Sequence, residues 1–285
     1  MKKINTKIVC EEEIISFGGN AANTMVGLSR LGVECTLSTI IGEEKVGEMI
    51  LESLKMEKIN TTKILREGNK SSHSFILINK QKQTRTIINK KGASYHFILP
   101  IHFFEDLNHF DAFYFDSRFY LSAFECLQKI KQINQKNEKK IPVFLGIESQ
   151  RHDFDILLPF ADIVITNQNI HKELFGNQNF EENLKFFISK GAQIAITTLG
   201  IDGSICITKS GQIFHNKAHQ IDKVVDTNGA GDAFVSAFIF GYLKKWNLEK
   251  ILLFSNFYAS QKCTRRGSRD GLLFLKEIPS NFLDN

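Results

Sequence analysis

Downstream of Gly32, short apolar runs rich in β-branched residues alternate with longer stretches whose apolar residues recur at helical spacing. ECTLSTIIG is followed by VGEMILESLKM, AFYFD by YLSAFECLQKIKQIN, and DIVITN by IHKELFG, with PVFLGIE, QIAITTLG and SICIT as further strand-like runs. Buried strands separated by amphipathic helices predict an α/β fold whose mostly parallel sheet is covered on both faces, with ligands gathering at the strands' carboxyl ends. Two segments break the pattern. KINTKIVCEEEIIS, at 3–16, and SFILINKQKQTRTIINKKG, at 74–92, read as exposed antiparallel strands, the second as a hairpin around Lys80-Gln81-Lys82-Gln83. No repeat or low-complexity linker interrupts the chain, so residues 1–285 read as one domain with strands at about 3–16 and 73–92 set apart from the main sheet.

Two helices open on glycines. In Val225-Asp226-Thr227-Asn228-Gly229-Ala230-Gly231-Asp232-Ala233-Phe234, a glycine-rich turn leads into the apolar helix FVSAFIFGYLKKW, whose lysines arrive near the C-terminal end. Gly229 and Gly231 allow unusual φ values and close approach to a ligand, and the N–H groups of Gly229, Ala230 and Gly231 point at an anion. Asp232 follows directly, so its carboxylate sits beside that anion and can take a proton from an attacking hydroxyl. For Asp-Thr-Asn-Gly alone, an ordinary capped helix start is an equal reading; the second glycine and the second aspartate favour the ligand site. The other start, Phe17-Gly18-Gly19-Asn20-Ala21-Ala22-Asn23, opens a helix with an expected apolar face of Ala22, Met25, Val26 and Ser29 and a stop at Gly32. Asn20 and Asn23 lie about one turn apart; they either cap the helix or offer two carboxamides to neighbouring hydroxyls.

Composition narrows the class. The hydrophobic fraction of 42% is that of a globular protein, and a net charge of +5 spread over lysines argues against a polynucleotide partner. Cys10, Cys35, Cys126, Cys206 and Cys263 form no CxxC pair, which predicts reduced thiols in a cytoplasmic setting and neither a disulfide framework nor a protein-ligated metal. No apolar window reaches the roughly 18 residues of a membrane span.

The run Asp226–Asp232 resembles the DTxGAGD signature of the ribokinase-like (pfkB) carbohydrate kinases, and Phe17–Gly32 resembles the family's first signature. The resemblance spans nearly the whole chain. It implies a three-layer α/β/α fold with a small β-sheet lid over the sugar, paired with a second subunit's lid in a homodimer. It also implies transfer of the γ-phosphate of ATP to a sugar hydroxyl, with Mg2+ as cofactor. Asp232 is then the base, the amides of Gly229, Ala230 and Gly231 stabilise the transferring phosphoryl group, and Gly19, Asn20 and Asn23 hold the sugar.

The details look most like ketohexokinase and fructokinase-like members. Arg118, just after a strand, stands where those members carry an arginine near the nucleotide phosphates, with a plain surface arginine as the alternative. Thr198-Leu199-Gly200-Ile201-Asp202-Gly203 looks like the nucleotide-contacting loop, with Thr198, Gly200 and Gly203 as candidates and a plain hairpin turn as the alternative. Asn256–Gly267 matches the segment that closes the adenine pocket. Two departures stand out. In Asn167-Gln168-Asn169-Ile170, Ile170 replaces the Glu of the family's Asn-x-x-Glu, so magnesium is expected on nucleotide phosphates and water. The family's opening apolar strand, which ends in a sugar-binding Asp, is not found before Gly18-Gly19; the expectation is a misassigned start or a decayed gene, with impaired stability of the sheet. Besides a ketohexose kinase, the sequence leaves open a nucleotide-binding protein without activity and a kinase for ribose or a nucleoside.

Overall fold

The computed structural model describes residues 9–79, 84–93, 98–138, 140–149 and 153–283. The first half contains α1 (Asn20–Arg30), β1 (Thr39–Ile41), α2 (Lys45–Met56), β2 (Ile64–Arg66), the hairpin β3 (His73–Asn79) and β4 (Thr84–Lys90), β5 (Phe113–Phe115) and α3 (Tyr120–Lys136). The second half adds β6 (Val143–Ile147), β7 (Ile163–Asn167), α4 (Gln168–Phe175), α5 (Phe180–Ser189), β8 (Ile194–Thr198), β9 (Ser204–Thr208), β10 (Ile213–Asn216), α6 (Ala230–Leu243) and α7 (Leu248–Lys262).

The sheet order is β10-β9-β8-β7-β6-β5, with β5 to β8 parallel and β9 and β10 turning back antiparallel. Every residue of β6 is buried, which a strand covered on both faces requires. Its side chains alternate: Phe144 joins Ile163, Ile165, Ile196 and Cys206 under α1, α6 and α7, whereas Val143, Leu145 and Ile147 join Val164, Ala195, Ile205 and Ile207 under α3, α4 and α5. Two hydrophobic layers on one sheet make the three-layer α/β/α architecture of the ribokinase-like fold. Each fully buried aliphatic or Phe side chain contributes roughly 1.5–3 kcal/mol, so the two layers are the main source of stability.

Three local expectations change. β1 and β2 pair in parallel as a separate two-stranded unit, and among the described residues no strand joins them to β5. Residues 9–16 of the first exposed strand form no regular element, while residues 3–8 lie outside the described residues. The second exposed strand does form the β3–β4 hairpin, in antiparallel register from His73–Lys90 to Asn79–Thr84, its tip at 80–83 lying outside the described residues.

Helix α1 also buries a different face from the expected one. Asn23, Thr24, Val26, Gly27 and Leu28 are buried, while Ala22, Met25 and Ser29 are only partly covered. The cause is its close contact with α6: a Cβ on Gly27 would fall 2.3 Å from Ser236 Oγ, which itself donates to Thr24 O (3.0 Å) and Asp232 O (2.7 Å). That contact presses the polar edge of α1 against the start of α6. Gly32 ends α1 as expected, with φ +86°.

Candidate active site

The start of α6 is held by its neighbours before any ligand arrives. Asp226 accepts from the amides of Asn228 (2.9 Å) and Gly267 (2.9 Å), and buried Lys262 donates to the Asp226 carbonyl (2.6 Å). Gly229 caps the helix at φ +80°, and a Cβ there would lie 2.6 Å from Ser268 O, so both backbone and space demand glycine. Gly231 differs: it lies within α6 without positive φ, and a Cβ there would make only an ordinary contact, with Glu148 Oε1 at 3.7 Å. The Ala230 amide turns back to Thr227 O (3.2 Å), while the amides of Gly229, Gly231 and Asp232 have no backbone acceptor among the described residues. The expected three-amide hole is therefore altered at Ala230. The helix start still presents free donors and the positive end of the dipole, which together suit a phosphate.

Asp232 is 4% exposed. Its Oδ2 accepts from Asn23 Nδ2 at 2.7 Å, its Oδ1 meets no donor, and its carboxyl stands in hydrogen-bond contact with that of Glu148. Burial pushes its pKa well above the usual carboxylate range, the charge of Glu148 adds to this, and the bond from Asn23 opposes it. Glu148 follows β6 at the sheet's carboxyl edge. Its Oε2 accepts from Asn20 Nδ2 (2.6 Å), and its carbonyl accepts from Asn167 Nδ2 (3.0 Å). Asn167 Oδ1 meanwhile caps α4, accepting from Asn169 N and Ile170 N, and Ile170 is fully buried in the core.

Asn20, Asn23, Gly231 and Asp232 thus converge, and Gly19 (φ +98°) forms the exposed turn that opens α1. The two asparagines divide their tasks. Asn23 is 3% exposed and its carboxamide is engaged at both ends inside the protein, to Asp232 and from Arg269 Nε (2.9 Å). Asn20 is partly exposed beside Glu148. The other candidates sit on loops. Arg118 follows β5, with its amide donating to Asp116 Oδ1 (3.0 Å) and its guanidinium over Phe119 at 6.0 Å. Thr198 ends β8, and Gly200 and Gly203 turn the chain into β9; a Cβ on Gly203 would meet Asn216 O at 2.0 Å, so this glycine serves packing. Beside the Val225–Gly229 run lies a cavity of about 390 Å³ lined by Gln220, Ile221, Asp222, Lys223, Val225, Gln261 and Thr264.

Glu148 and Arg269 were not singled out from sequence. For Glu148 the signal was available: an acidic residue directly after a wholly apolar strand at the ligand-binding edge. Arg269, in a basic loop, reads like a solvated residue until α1 is docked.

The pfkB family carbohydrate kinase profile matches residues 6–273. The chain belongs to that family and is a phosphotransferase acting on a sugar hydroxyl. It is 29% identical to an ATP-dependent 6-phosphofructokinase of Thermoanaerobacterium thermosaccharolyticum over 83% of this chain and 75% of that protein. It is 27% identical to the ketohexokinase of Mus musculus over 90% of this chain and 87% of that protein. Arabidopsis thaliana ribokinase, solved with ribose and ATP, superposes with a TM-score of 0.85 at 20% identity, covering 100% of this chain and 93% of that one. No helix among the described residues is long and apolar enough to cross a membrane.

Proposed function

We propose that the chain transfers the γ-phosphate of ATP to a ketohexose hydroxyl, with Asp232 as the general base. The observation that carries this reading is the Asp232 carboxylate, buried in the first turn of α6, with one oxygen fixed by Asn23 and the other meeting no donor beside the Glu148 carboxylate. Oδ1 takes the proton of the acceptor hydroxyl. A raised pKa makes Asp232 a stronger base than an ordinary carboxylate. Phosphoryl transfer needs little covalent work from the protein, so positioning and charge stabilisation do the rest. The free amides of Gly229 and Gly231 receive the phosphoryl oxygens, and Asn20, Glu148 and the Gly18-Gly19 turn hold the sugar. Arg118 and the Thr198–Gly203 turn place the ATP phosphates, and the cavity beside Gln261 and Thr264 takes the nucleoside.

Mg2+ neutralises nucleotide phosphate charge when bound. Ile170 offers no ligand and Asn167 is spent on its cap and on Glu148, so the donor set fits an ion that would be held by phosphates and water. The exposed β3–β4 hairpin is proposed to pair with a second copy of the chain.

The preference for ketohexose rests on the resemblance in the loops, and relatives acting on other sugars define the alternatives. A panel of fructose, fructose 6-phosphate, ribose and nucleosides, scored by ATP consumption with Asp232→Asn as control, tests it. Fructose should give the highest kcat/KM; a different acceptor at the top overturns the ketohexose assignment, and turnover by the control overturns the base.

A further inference from the structure

We propose that Arg269 is a positioning residue for phosphoryl transfer, fixing through Asn23 the donor that faces the base; this rests on Asp232 being that base. Arg269 is 6% exposed in the loop after α7. Its Nε donates to Asn23 Oδ1 (2.9 Å), its Nη1 to Ser53 Oγ on α2 (2.9 Å), and its Nη2 to the Gly18 carbonyl (3.2 Å), with the guanidinium 5.8 Å from the Phe17 ring. Arg30 in turn donates from Nη1 to the carbonyls of Arg269 (2.8 Å) and Leu272 (2.9 Å), which holds the loop backbone.

A guanidinium only donates, so the atom of Asn23 that it meets must be the oxygen. That choice sets the other end of the carboxamide. Its NH2 group faces Asp232 Oδ2 at 2.7 Å, and the reverse orientation would set an amide oxygen against a carboxylate while leaving a buried cation without its acceptor. Arg269 therefore decides which way Asn23 points, and Asn23 decides which oxygen of Asp232 stays free. The same side chain ties down the Gly18 carbonyl, so the sugar-side turn and the base share one anchor. Burying an arginine is costly unless its donors are met, and here three of its nitrogens reach acceptors belonging to or supporting the site.

The charged and titratable groups around Asp232 are Glu148, Asp116 and Tyr114 from the sheet side, Lys262 from the last turn of α7 and Arg269 from the loop after it. Burial lowers the Arg269 pKa to about 10, which leaves it charged at neutral pH. Removing its charge and its grip on Asn23 therefore makes Asp232 harder to ionise.

The test uses the full chain with ATP and fructose, or the acceptor selected by the panel. Arg269→Met should lower kcat on the order of tenfold to a hundredfold, the range for one lost charged hydrogen bond, with the KM for ATP nearly unchanged. The acid limb of its pH–rate profile should move to higher pH, Arg269→Lys should fall between, and the Met substitution should add little loss in an Asn23→Ala background. A readout independent of turnover is the melting temperature: adding Asp232→Asn should raise it more in the Arg269→Met background than in the wild type. Wild-type kcat and an unmoved acid limb in Arg269→Met, or losses that simply add to those of Asn23→Ala, would overturn the proposal while leaving the base reading intact. Should Arg269→Met fail to fold, the same comparisons in Arg269→Lys decide. Full turnover by Asp232→Asn overturns both.

Discussion

The junction of α1 with α6 and the β3–β4 hairpin both carry large apolar side chains, yet these end in opposite states. At the junction, Val26, Leu28, Phe234 and Phe238 are buried, and polar groups meet between the helices, Asn23 donating to Asp232 and Ser236 to the Thr24 carbonyl. In the hairpin, Phe75 is 66% and Ile88 57% exposed, with Ile76 and Leu77 also uncovered. The difference is what packs against each. A helix pair closing over a sheet edge holds a carboxylate at a raised pKa, because packing elsewhere offsets the penalty. A lone two-stranded ribbon stabilises nothing by itself, and its uncovered apolar residues suit contact with a second surface.

The strongest break at the junction is Asp232→Asn. Loss of the base should lower turnover by about 10²- to 10⁴-fold with ATP binding retained, measured by steady-state kinetics and calorimetry. Stability should move the other way. A carboxylate whose folded pKa is raised contributes stability that is present below its unfolded pKa and is lost as pH rises through the folded pKa. The mutant should therefore melt above the wild type at neutral and alkaline pH, with the gap closing in acid. The acid limb of kcat/KM should lie above the ordinary carboxylate range, and Glu148→Gln, by removing a like charge, should move it down. Wild-type and mutant melting curves that coincide at every pH would deny the burial penalty.

Next in size are the two glycines. Gly229→Ala must place a side chain at φ +80° and against Ser268 O, so it should lose both stability, by about 1–2 kcal/mol or more, and turnover. Gly231→Ala meets no atom closer than Glu148 and should keep its melting temperature while losing rate by about 10²- to 10³-fold, the range for a compromised oxyanion donor. Equal melting temperatures for the two variants would contradict the division.

How much of this contrast was readable in the chain follows from its range. The strands of the central sheet announce themselves by local apolar runs, and α6 by its glycine-rich start, because these signals span a few neighbouring residues. The pairing of Arg269 with Asn23 joins positions 246 apart, and that of Asn20 with Glu148 joins positions 128 apart, so neither leaves a local pattern. The covered face of α1 differs from the amphipathic expectation for the same reason: that spacing assumes that only apolar residues are buried, and here the contact through Gly27 carries Asn23 and Thr24 inside. Residues 9–16 have strand-like composition but find no partner strand among the described residues, and composition alone does not supply one.

On the hairpin side, Phe75→Lys with Ile88→Lys should convert a dimer to a monomer in light scattering while the melting temperature changes little, since neither side chain supports the core. A wild-type chain that is monomeric at assay concentrations would remove the proposed pairing and leave the apolar ribbon to act on the sugar side alone.

The smallest effect is expected from Asn20, and it separates the two carboxamides. Asn20 is partly exposed and touches Glu148, whereas Asn23 is enclosed between Arg269 and Asp232. Asn20→Ala removes one neutral hydrogen bond to a sugar hydroxyl, worth about 0.5–1.5 kcal/mol, so the sugar KM should rise about 2- to 12-fold with kcat nearly preserved. Asn23→Ala loses the donor on the base and should act chiefly on kcat and on the acid limb. Asn20→Ala also takes one donor from Glu148; Asn20→Asp, which sets two carboxylates against each other, should raise KM further than the alanine. A kcat loss in Asn20→Ala as large as that in Asn23→Ala, at unchanged KM, would show that both asparagines serve the base and that the sugar is held elsewhere.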